Sequence, residues 1–159
     1  MASVTIISVG TLKEGYLREA DDEYKKRLSQ YAKVEITELR EERIANEDDK
    51  SEIERALDKE ADKILASIPR DSYSIAMCVE GKEASSEELA DIVERAADST
   101  GKLTLIIGSS HGLSERVKAE CKLRLSCSRL TFPHQLMRVL ILEALYRSFT
   151  IIHGKRYHK

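Results

Sequence analysis

Short apolar runs alternate with helical patterns along the whole chain, and this alternation constrains the fold more than any other feature. Val4 to Val9 (VTIISV) is a β-branched run that ends at Gly10. From about Glu14 to Tyr31, Tyr16, Leu17, Ala20, Tyr24, Leu28 and Tyr31 recur at helical spacing among charges, as a core-packing stripe does. Val34 to Leu39 alternates as a second strand. Arg40 to Asp49 is charged, lacks an apolar period and reads as a mobile loop. A helix then starts at Ser51, with Glu54 completing a capping-box pattern. It carries its stripe on Ile53, Leu57, Ala61, Ile64 and Leu65 and ends at Pro69. Tyr73 to Val79 is nearly continuously apolar, as in a strand covered on both faces, and Gly81 breaks it. Ser85 or Ser86 caps a helix over Glu87 to Ala97, which Gly101 stops. Leu103 to Ile107 and Leu123 to Leu125 are the remaining strands, separated by a helix-like segment. Pro133 opens a last helix that runs to Phe149.

The expected order is therefore β-α-β-α-β-α-β-α-β-α: a single α/β domain over residues 1–159, with a mainly parallel sheet and helices on both faces. Ligands of such sheets bind beyond the carboxyl ends of the strands. That singles out the turns after Val79, Ile107 and Leu125.

Composition narrows the class. A hydrophobic content of 42% with 34% charged residues fits a soluble globular chain. No basic segment precedes an apolar run at the N-terminus, and no run approaches the roughly 20 apolar residues of a membrane span. A cytoplasmic location is expected. Cys78, Cys121 and Cys127 are odd in number and lack paired spacing, so reduced thiols are expected rather than disulfides, and no metal site. Cys78, inside an apolar run, reads as core. The net charge of −2 is unevenly spread: residues from Arg116 onward carry +8 and residues 1–115 carry −10. A basic end suits a polyanion; it equally suits pairing with the acidic end, within the chain or across a dimer.

Three readings compete at Gly108-Ser109-Ser110-His111-Gly112. A phosphate-binding P-loop would need Lys and Ser/Thr directly after the second glycine, and Leu113 stands there. A G-x-S-x-G nucleophile elbow fits formally, with Ser110 as nucleophile and Glu143 with His153 or His158 as partners, which would make a serine hydrolase. The third is a backbone turn whose glycines allow close approach of a ligand. Cys127 to Phe132 (CSRLTF) is a polar loop ahead of Pro133. Its hydroxyls and backbone N–H groups suit an adenine edge, or a helix cap. The helix after Pro133 is apolar almost all round, so it should be buried in a core or a subunit interface. Glu143 and Arg147 can pair at i, i+4. Arg138 has no acid at such spacing and needs a distant carboxylate or a phosphate. The tail HGKRYHK offers two histidines that titrate near neutrality and a tyrosine that can stack on a base.

The closing run LSCSRLTFPHQLMRVLILEALYRSFTIIHGKRYHK, the opening SVGTLKEGYLREADDEYKKRL and the VEGK turn at Val79 to Lys82 together resemble one family over essentially the whole chain. It is the bacterial 23S ribosomal RNA pseudouridine N3-methyltransferases, the smallest of the SPOUT methyltransferases. The resemblance implies a C-terminal trefoil knot and a homodimer that uses the last helix. It implies an S-adenosylmethionine pocket at Met77, Gly108, Cys127, Ser128, Arg129, Leu130, Thr131 and Phe132. The implied substrate is a pseudouridine in helix 69 of the 23S ribosomal RNA of assembled ribosomes. Following the family pattern, His158 is the candidate base for the N3 proton, with Tyr157 orienting the RNA and Arg138 on phosphate or on the imide anion. Arg147, Lys155, Arg156 and Lys159 would contact RNA. His134 is a second candidate base, or structural. Ser109 stands where the family usually has a second glycine, Met77 where Leu is common, and Cys127 where an aromatic is common. A ribosome-associated RNA-binding protein without catalysis is the alternative from another class.

Overall fold

A computed structural model describes residues Met1–Lys159. Five strands, β1 (Ala2–Val9), β2 (Ala32–Leu39), β3 (Tyr73–Glu83), β4 (Lys102–Ile107) and β5 (Leu123–Ser126), form one sheet in the order β2-β1-β4-β3-β5. Every pairing is parallel. Five helices alternate with them: α1 (Gly15–Leu28), α2 (Lys50–Ser67), α3 (Ser86–Thr100), α4 (Glu115–Glu120) and α5 (His134–Ile152). The expected element order and sheet type both hold.

Strand side chains alternate between two cores. Val4, Ile6, Ile75, Leu103, Leu105 and Leu125 pack with Leu28 of α1, Val93 and Ala96 of α3, and Ile141, Leu142, Leu145 and Phe149 of α5. Ile7, Val9, Ala76 and Ile106 face the other way, onto Ala61 and Ile64 of α2 and Val117 of α4. Three helices thus cover one face and two the other. Burial on both faces is why the strands read as continuous apolar runs. No helix is long and apolar enough to cross a membrane.

Local signals decide several boundaries. Ser85 caps α3 in a full capping box with Glu88, and Gly101 closes it in the left-handed conformation at φ 70°. Helix α2 differs from expectation: Asp49, not Ser51, is its cap, accepting from the N–H groups of Ser51 and Glu52. Gly81 does not end β3. The strand continues to Glu83, and its pairing with Leu125 of β5 skips from Met77 to Lys82, so residues 78–81 arch out of the ladder. A Cβ on Gly81 would lie 2.7 Å from the Leu125 carbonyl carbon. The glycine is there because two backbones meet, not because the strand stops. The charged loop 40–49 is also tied down: Glu60 accepts from the Glu42 N–H at 2.9 Å, and Glu52 from the N–H groups of Ala45 and Asn46 at 2.6 and 3.2 Å.

Candidate active site

The carboxyl ends of β3, β4 and β5 converge on a cleft of about 340 Å³, large enough for a small-molecule ligand. One wall is the Gly108–Leu113 turn after β4. Gly112 N–H donates to the Ser109 carbonyl at 2.9 Å, folding the turn back on itself. A Cβ on Gly108 would sit 2.3 Å from the Gly112 carbonyl oxygen, so no other residue fits that fold-back. Gly112 itself has φ 85°. Ser109 in the turn and Glu60 on α2 are both buried. Burial pushes the Glu60 carboxyl above the usual range, and the Glu42 N–H and Ser109 hydroxyl oppose the shift.

The facing wall is the loop between β5 and α5. Ser126 Oγ donates to the Ser128 carbonyl at 2.8 Å, and Leu130 N–H donates to Ser128 Oγ at 3.0 Å. These two bonds hold the loop without using the backbone N–H groups of Cys127, Thr131 or Phe132, none of which donates within the chain. The cleft therefore offers free amide donors beside the apolar surfaces of Met77, Ile107, Leu130, Phe132 and Met137. A flat, neutral heteroaromatic ring with acceptor nitrogens matches such a wall, so the donor set fits the adenosine part of S-adenosylmethionine.

Seven of the eight positions expected to hold the cofactor line the cleft: Met77, Gly108, Cys127, Ser128, Leu130, Thr131 and Phe132. Arg129 does not; its side chain is 91% exposed and lies 3.6 Å from Glu83. Cys78 is a correction: it is half-buried and lines the cleft rather than the core. Glu80, His111, Lys118 and Met137 also line it; the turn after Ile107 contains His111, while nothing local in the sequence marks Lys118 or Met137. Only the expectation of a site after Val79 pointed toward Glu80. His134 lines the cleft too, packed against Gly10.

The expected catalytic and RNA-binding residues lie elsewhere within one chain. Arg138, Arg147, Lys155, Arg156, Tyr157, His158 and Lys159 are all outside the lining of the cleft. Arg138 is buried and pairs with Asp21 and Glu38, so its partners are distant carboxylates and not a phosphate. The tail folds onto α3 and α5. Tyr157 donates to Glu143 Oε2 at 2.9 Å, and Arg147 donates to Glu143 Oε1 at 2.8 Å. His158 bridges Arg147 Nη1 at 3.2 Å and Glu87 Oε1 at 2.8 Å. An arginine can only donate, so Nδ1 of His158 accepts and Nε2–H donates to Glu87. Burial and the bond to Glu143 push the Tyr157 hydroxyl up to about 12.

The hydrolase constellation is not assembled. Ser110 donates to Glu41 at 3.3 Å, Glu143 is held by Arg147 and Tyr157, and His153 Nδ1 meets the Phe149 carbonyl at 2.9 Å.

Comparison with known proteins agrees with this geometry. A family model described as "Predicted SPOUT methyltransferase" matches residues 2–158. Ribosomal RNA large subunit methyltransferase H of Caldicellulosiruptor bescii is 49% identical, covering 98% of this chain and 99% of that protein. The proteins of the same name from Clostridioides difficile and Bacillus pumilus are 46% and 44% identical, each covering 99% of both chains. A glycine-built cleft at the strand ends, a parallel five-stranded sheet and matches over nearly the full length lead to one conclusion: this chain belongs to the SPOUT methyltransferase family, in the group named ribosomal RNA large subunit methyltransferase H.

Proposed function

We propose that the protein transfers a methyl group from S-adenosylmethionine to N3 of a pseudouridine in helix 69 of the 23S ribosomal RNA, within assembled ribosomes. The observation that carries this reading is the cleft itself: Cys127, Thr131 and Phe132, whose amides are unpaired within the chain, line a space of ligand size together with Gly108 and Met77. Bound there, the donor supplies a methyl made electrophilic by its sulfonium. Gly108 lets the turn approach, the amides of Cys127, Thr131 and Phe132 take the base edge, and Leu130, Phe132 and Met137 exclude water.

The N3 position carries a proton and must lose it before attack. In this reading His158 takes that proton, Tyr157 and Arg147 orient the ring and phosphate, and Lys155, Arg156 and Lys159 neutralise backbone charge. As the N3–methyl bond forms, the sulfur–methyl bond breaks, and holding these atoms in line contributes much of the rate. Because the tail of one chain lies outside its own cleft, the active form is a homodimer whose tail completes the partner's site. Leu140 and Ala144 support this: they are spaced four apart on α5, are only partly buried and belong to none of the buried cores. A C-terminal trefoil knot belongs to the same reading. Helix α4 packs on one face and α5 on the other, and the connecting segment crosses beside the loops after β3 and β4.

The test is methylation of ribosomes from cells lacking the protein, read by mass spectrometry of the RNA. A single added methyl on the helix 69 pseudouridine, lost in His158→Ala while donor binding stays, is the expected result. Donor binding without transfer to any ribosome preparation would leave the non-catalytic RNA-binding reading in its place.

A further inference from the structure

Only two fully charged side chains line the cleft, Glu80 and Lys118. They partner each other: the Lys118 ammonium on α4 donates to the Glu80 carboxylate. Lys118 is largely buried, with its side chain 15% exposed, while Glu80 is 58% exposed on the arch of residues 78–81. The Lys118 hydrogen bond holds the Glu80 carboxyl below the usual carboxylate range.

The rest of the cleft suits a neutral ligand part, and the methyl donor has two unlike ends. Its adenosine is neutral and flat. Its amino-acid end carries an ammonium and a carboxylate a few bonds apart. A wall of amide donors and apolar side chains has no anion for that ammonium, whereas an ion pair at the cleft edge supplies one, with a cation for the carboxylate beside it. We propose that Glu80 and Lys118 form the subsite for this end of the donor, Glu80 accepting from the ammonium and Lys118 donating to the carboxylate. One ion pair opens and two charge-assisted contacts replace it, so no net charge is stranded. The inference rests on reading the cleft as the methyl-donor site.

Calorimetry with two probes tests it. S-adenosylhomocysteine has the amino-acid end, and 5′-methylthioadenosine lacks it. Glu80→Gln and Lys118→Met should each weaken S-adenosylhomocysteine by about tenfold or more, while methylthioadenosine changes less than about twofold. The reversed double variant E80K/K118E keeps a mutual ion pair, and with it the arch, but exchanges the charges presented to the ligand. It should bind methylthioadenosine normally and S-adenosylhomocysteine poorly. Equal weakening of both probes would overturn the proposal in favour of Glu80 on the ribose hydroxyls or a general packing role. Full recovery of S-adenosylhomocysteine in the reversed pair would overturn it too, since the pair would then matter only to the fold. Wild-type protein that binds neither probe would instead sink the methyl-donor reading beneath it.

Discussion

Arg138 donates from Nε and Nη2 to both carboxylate oxygens of Asp21, at 2.8 and 3.0 Å, joining α5 to α1. The two side chains are only 7% and 3% exposed. Glu38 at the end of β2 takes a third bond from Nη1, at 2.7 Å. Asp21→Ala leaves the guanidinium only Glu38, and Arg138→Ala leaves the buried Asp21 carboxylate only Lys25 at 3.4 Å, so each should cost about 1–3 kcal/mol or more in urea unfolding. The double variant Asp21→Leu with Arg138→Met should cost clearly less than the sum. A stability close to wild type in Asp21→Ala would show that the guanidinium does not depend on this carboxylate.

Two closely packed glycines, Gly108 in the cleft wall and Gly81 on the arch beside it, give a second expectation. Gly108→Ala places a Cβ 2.3 Å from the Gly112 oxygen, and Gly81→Ala places one 2.7–2.8 Å from the backbone of Arg124 and Leu125. Backbone cannot move aside as a flexible side chain can. Each should destabilise by about 1–3 kcal/mol or more and should weaken binding of S-adenosylhomocysteine by at least about tenfold. Gly154→Ala is the control for the clash: nothing lies within 4 Å of its Cβ, although φ 64° adds strain. It should leave ligand binding unchanged.

Much of this architecture was legible because it is local. Strand and helix periods, the Ser85–Glu88 box and the Gly101 stop all act within a few residues. What escaped is long-range. Gly81 looks the same in sequence whether it ends a strand or admits a second backbone, and only β5 decides between them. Arg138 announced its need for a partner, but Asp21 is 117 positions away. The tail's chemistry was readable from its residue types, yet its docking on Glu87 and Glu143 depends on how α3 and α5 pack. The loop 40–49 looked mobile because its anchors, Glu52 and Glu60, belong to the next helix.

Ser110 supplies a contrast between chemistries. Its hydroxyl makes one exposed bond, to Glu41 at 3.3 Å, and no histidine accepts from it. Ser110→Ala should change stability by less than about 0.5 kcal/mol and leave methyl transfer to ribosomes within about twofold of wild type. Loss of an esterase activity on replacing this serine would restore the nucleophile-elbow reading.

Tyr157 ties the tail to α5 and makes that attachment sensitive to alkali. Its hydroxyl rises from 10 to about 12, first through burial and then through donation to Glu143. A raised folded value means that the folded chain holds the proton more tightly than the unfolded chain. The stabilisation is therefore complete below pH 10 and is lost as pH climbs through about 12. Tyr157→Phe removes both the proton and the hydrogen bond, at a cost of about 1 kcal/mol. Urea unfolding of the two proteins should then differ by a constant amount below pH 10 and converge between pH 10 and 12. Phenolate absorbance should show one late-titrating tyrosine in the wild type that is missing from the variant. A stability gap that stayed level across that range would mean that the tail is not held through this hydroxyl.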